Sequence, residues 1–355
     1  YKCRNKNIMI NFLNFNLIFD SEILTSFSSN TDIYFIMIVA LALLAIGDLV
    51  VGVSNDAVNI LTSALGSKAI SVRKIMILAS LGVLVGSVFS SGMMEVARKG
   101  IFNPEMLFFS EIMIIFMAVM ITDILLLDFF NTLGLPTSTT VSIVFELLGA
   151  AVAVSLIKIS SLGNEFGDLV NYINVDKASQ IILGILLSVF IAFSIGALVQ
   201  FLARTILSYN YEQKSKWVGS IFGGVALTSI SYFILMKGIK GTSYAKESYA
   251  LLDGATISSF LETEVLLISL ISFVLLSLVS YILIFSFKVN IYKLIIGVGT
   301  FSLALAFAGN DLVNFIGVPI AAWQSYEAWI ASGVPADMFS MEVLSTKVPT
   351  PNLLL

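Results

Sequence analysis

The chain has 355 residues, of which 58% are hydrophobic and 12% charged, with a formal net charge of −4 and no histidine. A soluble domain carries about 25% charged residues, so this composition excludes an ordinary soluble enzyme or binding module and indicates an all-α polytopic membrane protein. The single cysteine, Cys3, excludes an intrachain disulfide and a cysteine metal site, and the lack of histidine excludes histidine-ligated metal, haem held by histidine and histidine acid–base chemistry.

Residues 1–32 begin rich in Lys, Arg and Asn and turn apolar at 8–19, a signal-like or interfacial pattern. The first run long enough to span a bilayer is 34–51, and it leads into GVSNDAVNILTSALG at 52–66. Here Asn55, Asn59, Thr62, Ser63 and Gly66 recur at helical spacing and form one polar stripe, with Val58, Ile60, Leu61 and Leu65 off it. Asp56 lies one step round from Asn55. A carboxylate at membrane depth costs roughly 2.5–3.5 kcal/mol on insertion scales, and a bound cation or a proton would offset that cost. The plainer reading is that Ser54 or Asn55 caps a helix beginning at Asp56.

Further spanning runs follow at 75–94, at 106–127 (entered through Asn103-Pro104), at 137–157, at 181–207 and at 218–236. The stretch 237–263 carries Lys237, Lys240, Lys246, Glu247, Asp253 and Glu262 and reads as a polar connector. Spans resume at 265–287 and 292–307, the latter running into a second polar-interrupted piece at 308–330. Gly82 and Gly86 in the second span make a pattern of small residues four apart, which suits close helix packing.

Two features suggest a duplicated architecture. Asn55-Asp56-Ala57-Val58-Asn59 is matched by Asn310-Asp311-Leu312-Val313-Asn314, and each copy ends a long apolar run and opens an interrupted helix. Paired polar interruptions in corresponding positions mark the midplane site of a transporter built from inverted repeats. The expected organisation is therefore an N-terminal segment at 1–32, a first membrane repeat at 33–236, the connector at 237–263 and an incomplete second repeat at 264–355.

The second constellation is NTLGLPTSTTVSIV at 131–144. Pro136 suits the first turn of a helix and not its middle. Thr137, Ser138, Thr139 and Thr140 follow it, four consecutive hydroxyls where an N-cap needs one. A helix starting within the membrane offers unpaired N–H groups and the positive end of its dipole to an anion. No Lys or Arg falls mid-span; Lys158, Arg204 and Lys237 all sit at span ends. An anion site without fixed cations depends on N–H groups, hydroxyls and a mobile cation. Asp56 and Asp311 would repel an oxyanion until neutralised, which makes anion binding depend on cation binding. Sodium, a hard cation, suits carboxylate and amide oxygens, and a proton on a carboxyl is the other option. Asp48, Asp123, Asp128 and Glu146 are further acids within or beside the spans, lining the path or pairing with hydroxyls.

With these motifs in hand the chain resembles the inorganic phosphate transporter (PiT) family. GVSNDAVNILTSALGSKAIS is similar to that family's G-A-N-D-V-A-N signature, FAGNDLVNFIG to its second copy, and LGLPTSTTVSIV to its P-V-S-T-T-H-S-I-V motif. The resemblance covers about 33–330. It implies a multi-span inverted-repeat transporter bundle with interrupted helices. It also implies symport of inorganic phosphate with sodium or protons across a bacterial cytoplasmic membrane. By resemblance, Ser138, Thr139 and Thr140, with Thr137, Asn55 and Asn310, would contact phosphate; Asp56, Asn59, Asp311 and Asn314 would hold sodium. Val141 stands where the family usually has His, Ser54 where it has Ala, Ala57 where it has Val and Val58 where it has Ala. A second hydroxyl run is expected as far beyond Asp311 as Pro136 lies beyond Asp56. That position falls past Leu355, so the chain reads as C-terminally truncated. The expected partners are phosphate, Na+ or H+, the lipid bilayer and a second copy in a homo-oligomer; no nucleic acid and no cofactor beyond the coupling ion is expected. A sulfate transporter of the same family is the alternative substrate reading. An intramembrane phospholipid or polyprenyl-phosphate enzyme, with Asp56, Asp123 and Asp128 as metal ligands, is the alternative of another class.

Overall fold

A computed structural model describes residues 31–88, 100–163, 165–207, 216–236, 256–310 and 312–345, and not the side chains of 31, 88, 310, 312–314 and 345. The interfacial reading at 8–19 and most of the polar connector lie outside the described residues. The helices are α1 (Thr31–Ser67), α2 (Val72–Val88), α3 (Phe109–Leu133), α4 (Thr139–Leu162), α5 (Val175–Leu207), α6 (Lys216–Ile234), α7 (Ile257–Thr263), α8 (Val265–Phe285), α9 (Ile291–Asn310) and α10 (Leu312–Ser332). Among the described residues, seven helices are long and apolar enough to cross a bilayer, namely α1, α3, α4, α5, α6, α8 and α9. The protein is a multi-pass membrane protein.

The first copy of the Asn-Asp motif departs from expectation. Instead of an interruption there, α1 runs unbroken for 37 residues through Gly52–Gly66. At 1.5 Å per residue it is about 55 Å long, well over the roughly 30 Å of a hydrocarbon core. Polar side chains do not break a helix whose backbone bonds remain made, and no proline intervenes. The second copy lies between α9, described to Asn310, and α10, described from Leu312, and Asp311 itself lies outside the described residues.

Helices α1, α3, α4 and α10 pack into one core. α10 runs antiparallel to α1: Tyr34 lies against Trp329 with ring centroids 5.1 Å apart, and Gly52 lies against the Phe315 ring. The Tyr34–Phe109–Trp329 cluster, with Phe109 and Trp329 stacked at 4.6 Å, closes one end. The segment after α10 folds back on the start of α3. Phe109 and Ser110 donate their N–H groups to the carbonyls of Phe339 and Ala336, satisfying helix-end donors that would otherwise lack partners. Glu111 accepts from the Phe108 N–H at 2.7 Å and from Lys158 Nζ at 2.8 Å, tying α3 to the far end of α4. Lys158 also sits over the Phe108 ring, so this cation is fully committed at a span end. By contrast α5 buries none of its most apolar stretch within the chain and presents an apolar surface all round, as a lipid- or partner-facing helix does.

A second close contact joins α2 to α9. A Cβ on Gly82 would meet the Phe301 carbonyl oxygen, and one on Gly86 the Leu305 carbonyl oxygen. Lipid is as apolar as leucine, so helices associate in a bilayer by close packing, which small residues permit. Gly82→Leu is therefore expected to destabilise the protein by about 1–3 kcal/mol through overpacking. Leu84→Ala, on the exposed face of the same helix, is expected to change stability by no more than about 0.5 kcal/mol. Thermal unfolding in detergent checks the pair.

Candidate ion and anion site

The site begins with a break between two helices. α3 ends at Gly134, whose left-handed backbone (φ 68°) stops the helix at little steric cost. Leu135, Pro136, Thr137 and Ser138 follow without helical structure, and α4 starts at Thr139 with Ser138 as its N-cap. The helix thus starts two residues later than the hydropathy run at 137–157 indicates. Pro136 lies ahead of the cap and not in the first turn, since Ser138 in extended backbone accepts from the Val141 N–H and sets the boundary.

One side chain fixes this turn. Asn55 on α1 accepts the Thr137 N–H at 2.8 Å and donates to the Leu135 carbonyl at 3.1 Å and to Asn131 Oδ1 at 2.7 Å. Asn131 in turn donates to the Val51 carbonyl at 3.0 Å. Both amide protons of Asn55 are used, as is one acceptor position. Asn55, expected from the sequence at the substrate, holds the hydroxyl turn against α1 in this structure. Asn131 had drawn no attention in the sequence, although it opens the motif; its partners lie about eighty positions away along the chain.

The turn, α1 and α9 enclose a cavity of about 510 Å³. Asp56 and Asn59 line it from α1, Pro136, Thr137, Ser138 and Thr139 from the turn, and Leu303, Ala306 and Phe307 from α9. Asp56 is buried, and Asn59 Nδ2 points at its Oδ1 from 3.4 Å. Among the described residues no Lys or Arg lines the cavity. The structure therefore brings together Asp56, Asn59, Thr137, Ser138 and Thr139. Thr140 lies within the first turn of α4 and does not line the cavity. Asp311, and the side chains of Asn310 and Asn314, lie outside the described residues. The polar stripe of α1 divides: Asn55 is buried, whereas Asn59, Thr62 and Ser63 are exposed, and Ile60 and Ala64 are the buried face against α9. Chemically, the cavity offers a carboxylate and an amide to a cation, beside hydroxyls and a helix N-terminus suited to an oxyanion.

Residues 51–346 match the model of the phosphate transporter family. The chain belongs to the phosphate transporter family. It is thereby placed among transporters and not among enzymes, and the three acids of the enzyme reading are not gathered: Asp56 faces the cavity, Asp123 is buried elsewhere and Asp128 is exposed. Among the described residues no group of three acidic side chains has the placement of a metal site. The chain is 27% identical over 194 residues to a protein named as a predicted phosphate permease in Pyrococcus furiosus, covering 52% of this chain and 43% of that protein. It is 27% identical over 198 residues to a protein so named in Thermococcus kodakarensis, covering 54% and 45%. The match thus spans less than half the length of these relatives. A solved structure described as a sodium-dependent phosphate transporter superposes with a TM-score of 0.57 at 21% identity, over 90% of this chain and 72% of that one. At this identity the likeness shows the fold: a transporter-type bundle of membrane helices.

Removing the Asn55 side chain leaves the part-buried Thr137 N–H and Leu135 carbonyl without their partner, and a typical hydrogen bond contributes about 0.5–1.5 kcal/mol net. Asn55→Ala is expected to destabilise the protein by about 2 kcal/mol in total. Combined with Asn131→Ala, the loss is expected to fall short of additivity by more than about 0.5 kcal/mol, because the two amides share one network. Thermal unfolding of the two single variants and the double variant measures both quantities.

Proposed function

We propose that this chain carries the substrate cavity of a secondary transporter that moves inorganic phosphate by cation-coupled symport across the cytoplasmic membrane. The observation that carries this reading is the make-up of the cavity. A buried carboxylate, Asp56, shares the cavity with the N-terminus of α4 and its hydroxyls, with no fixed cation among the lining residues. An oxyanion brought next to Asp56 is repelled unless a cation sits between them. Sodium held by Asp56 and Asn59 removes that repulsion and adds an attraction, so each ligand raises the other's affinity. Asp311, Asn310 and Asn314 are the counterparts from the second copy of the motif, in a second repeat at 264–355 facing a first at 33–236. Thr137, Ser138 and Thr139 supply donors to phosphate oxygens, and Asn55 acts by holding them in place.

The relatives named as phosphate permeases and the sodium-dependent phosphate transporter of similar fold support phosphate as substrate and sodium as the coupling ion. Sulfate is the competing oxyanion. Phosphate at neutral pH carries a proton that it can donate, whereas sulfate has none, so a carboxylate beside the site favours phosphate.

Equilibrium binding of radiolabelled phosphate to the purified chain in lipid nanodiscs tests this reading. Sodium is expected to tighten binding at least tenfold, about 1.4 kcal/mol. Asp56→Asn is expected to abolish that sodium dependence, and excess sulfate to compete weakly. Binding that ignores sodium would overturn the coupling assignment; displacement by sulfate at equal concentration would overturn the substrate.

A further inference from the structure

A second group of acids lies in the core between α1, α3 and α4, apart from the cavity at Asp56. Asp123 on α3 and Glu146 on α4 flank Ser142, whose Oγ is 2.8 Å from Asp123 Oδ1 and 2.8 Å from Glu146 Oε1. Asp48 on α1 points into this pair. It is fully buried, and its carboxyl meets no hydrogen-bonding group but the carboxyl of Asp123 among the described residues. The contact of Gly47 with Ile124 seats this part of α1 against α3.

Counting hydrogens limits what the cluster can be. A serine hydroxyl carries one hydrogen and can donate to only one carboxylate. Its second 2.8 Å contact needs a hydrogen on the carboxyl side. Asp123 Oδ2 and Glu146 Oε2 are likewise buried without partners. Buried charges are normally paired, ligated to metal or neutralised by protonation. Among the described residues no cation pairs with these acids. The groups acting on each acid are the other acids and Ser142. Of the remaining charged residues on the packed helices, Lys158 is committed to Glu111. Arg73 and Lys74 on α2, Lys293 on α9, Asp128 on α3 and Glu327 on α10 are exposed. Asp32 and Asp56 on α1 are themselves acidic. Nor do these three acids have the mutual placement of a metal site.

A route to the outside exists. A groove of about 610 Å³ between α3 and α4 is lined by Glu146, Ser142, Thr122 and Thr137 among apolar residues. Thr137 lines the Asp56 cavity as well. We propose that Asp48, Asp123, Glu146 and Ser142 form a proton-binding site, distinct from the cation position at Asp56, which exchanges protons through this groove at Glu146. Each proton taken up adds to a carboxylate oxygen and leaves a neutral carboxyl group that can donate to its neighbour. The protein then carries two separate cation-responsive centres, one built for a metal cation beside the anion and one for protons behind it. A part for this second centre in transport rests on the phosphate reading above; proton binding itself does not.

The test is infrared spectroscopy of the full chain in lipid, without phosphate or sodium, so that its outcome is independent of the substrate. A carbonyl band of protonated carboxyl groups is expected at neutral pH, shifting in deuterated water and lost at alkaline pH. Asp48→Asn and Glu146→Gln are each expected to remove part of that band, and sodium added at constant pH to leave it unchanged. Absence of any protonated carboxyl band at neutral pH would overturn the proposal. So would its removal by sodium, which would make the cluster a metal-cation site. Asp56→Asn is expected to leave the band in place, which separates the cluster from the cavity; a band lost with Asp56→Asn but kept in Asp48→Asn and Glu146→Gln would overturn the proposal.

Discussion

The Asn55 amide is the interaction on which the cavity depends. It reaches from the unbroken helix α1 to the backbone of the 134–138 turn and replaces hydrogen bonds that a helix would have supplied. Irregular backbone at membrane depth is tolerated only where its polar groups find partners inside the protein or face water. Asn55 and Asn131 provide such partners on the side toward α1. The other side of the turn faces the cavity with its hydroxyls. One side chain thus fixes the backbone of the turn at Leu135 and Thr137 against α1.

The electrostatics follow from what is left out. A fixed Lys or Arg in the cavity would bind an oxyanion with or without a second ion, and the coupling would be lost. The cations nearest the core are spent elsewhere, as Lys158 is on Glu111 and on the Phe108 ring at the end of α4. On the proposed reading the attraction for an anion is left to N–H groups, hydroxyls and a cation at Asp56 and Asn59, which is the condition for two ligands to share one binding free energy.

Much of this was legible in the sequence, and the failures have physical causes. Hydropathy located the helices, because backbone groups in lipid must be satisfied within the segment and helices do that. Pro136 and the hydroxyl run marked the break. The continuity of α1 was missed because polar side chains were taken as a sign of a broken backbone. Yet the helical spacing of Asn55, Asn59, Thr62 and Ser63 already described a continuous helix. The hold of Asn55 on the hydroxyl turn was not legible because its partners are set by tertiary packing and not by local sequence. Asp48, Asp123 and Glu146 were each visible as costly residues, but their assembly from three helices carries no spacing signal. The capping of α3 by residues 336–341 was hidden for the same reason.

The unbroken course of α1 also has a mechanical side. Asp48 and Asn55 are seven residues apart, two turns of helix, so they project from nearly the same side of one shaft, about 10 Å apart along its axis. A hydrogen-bonded helix resists twisting between such points, so a rotation at one is delivered to the other. The hydroxyl turn is bonded to α1 at Asn55, and Asp48 projects from α1 into the acid cluster. A swivel of α1 therefore carries both side chains at once.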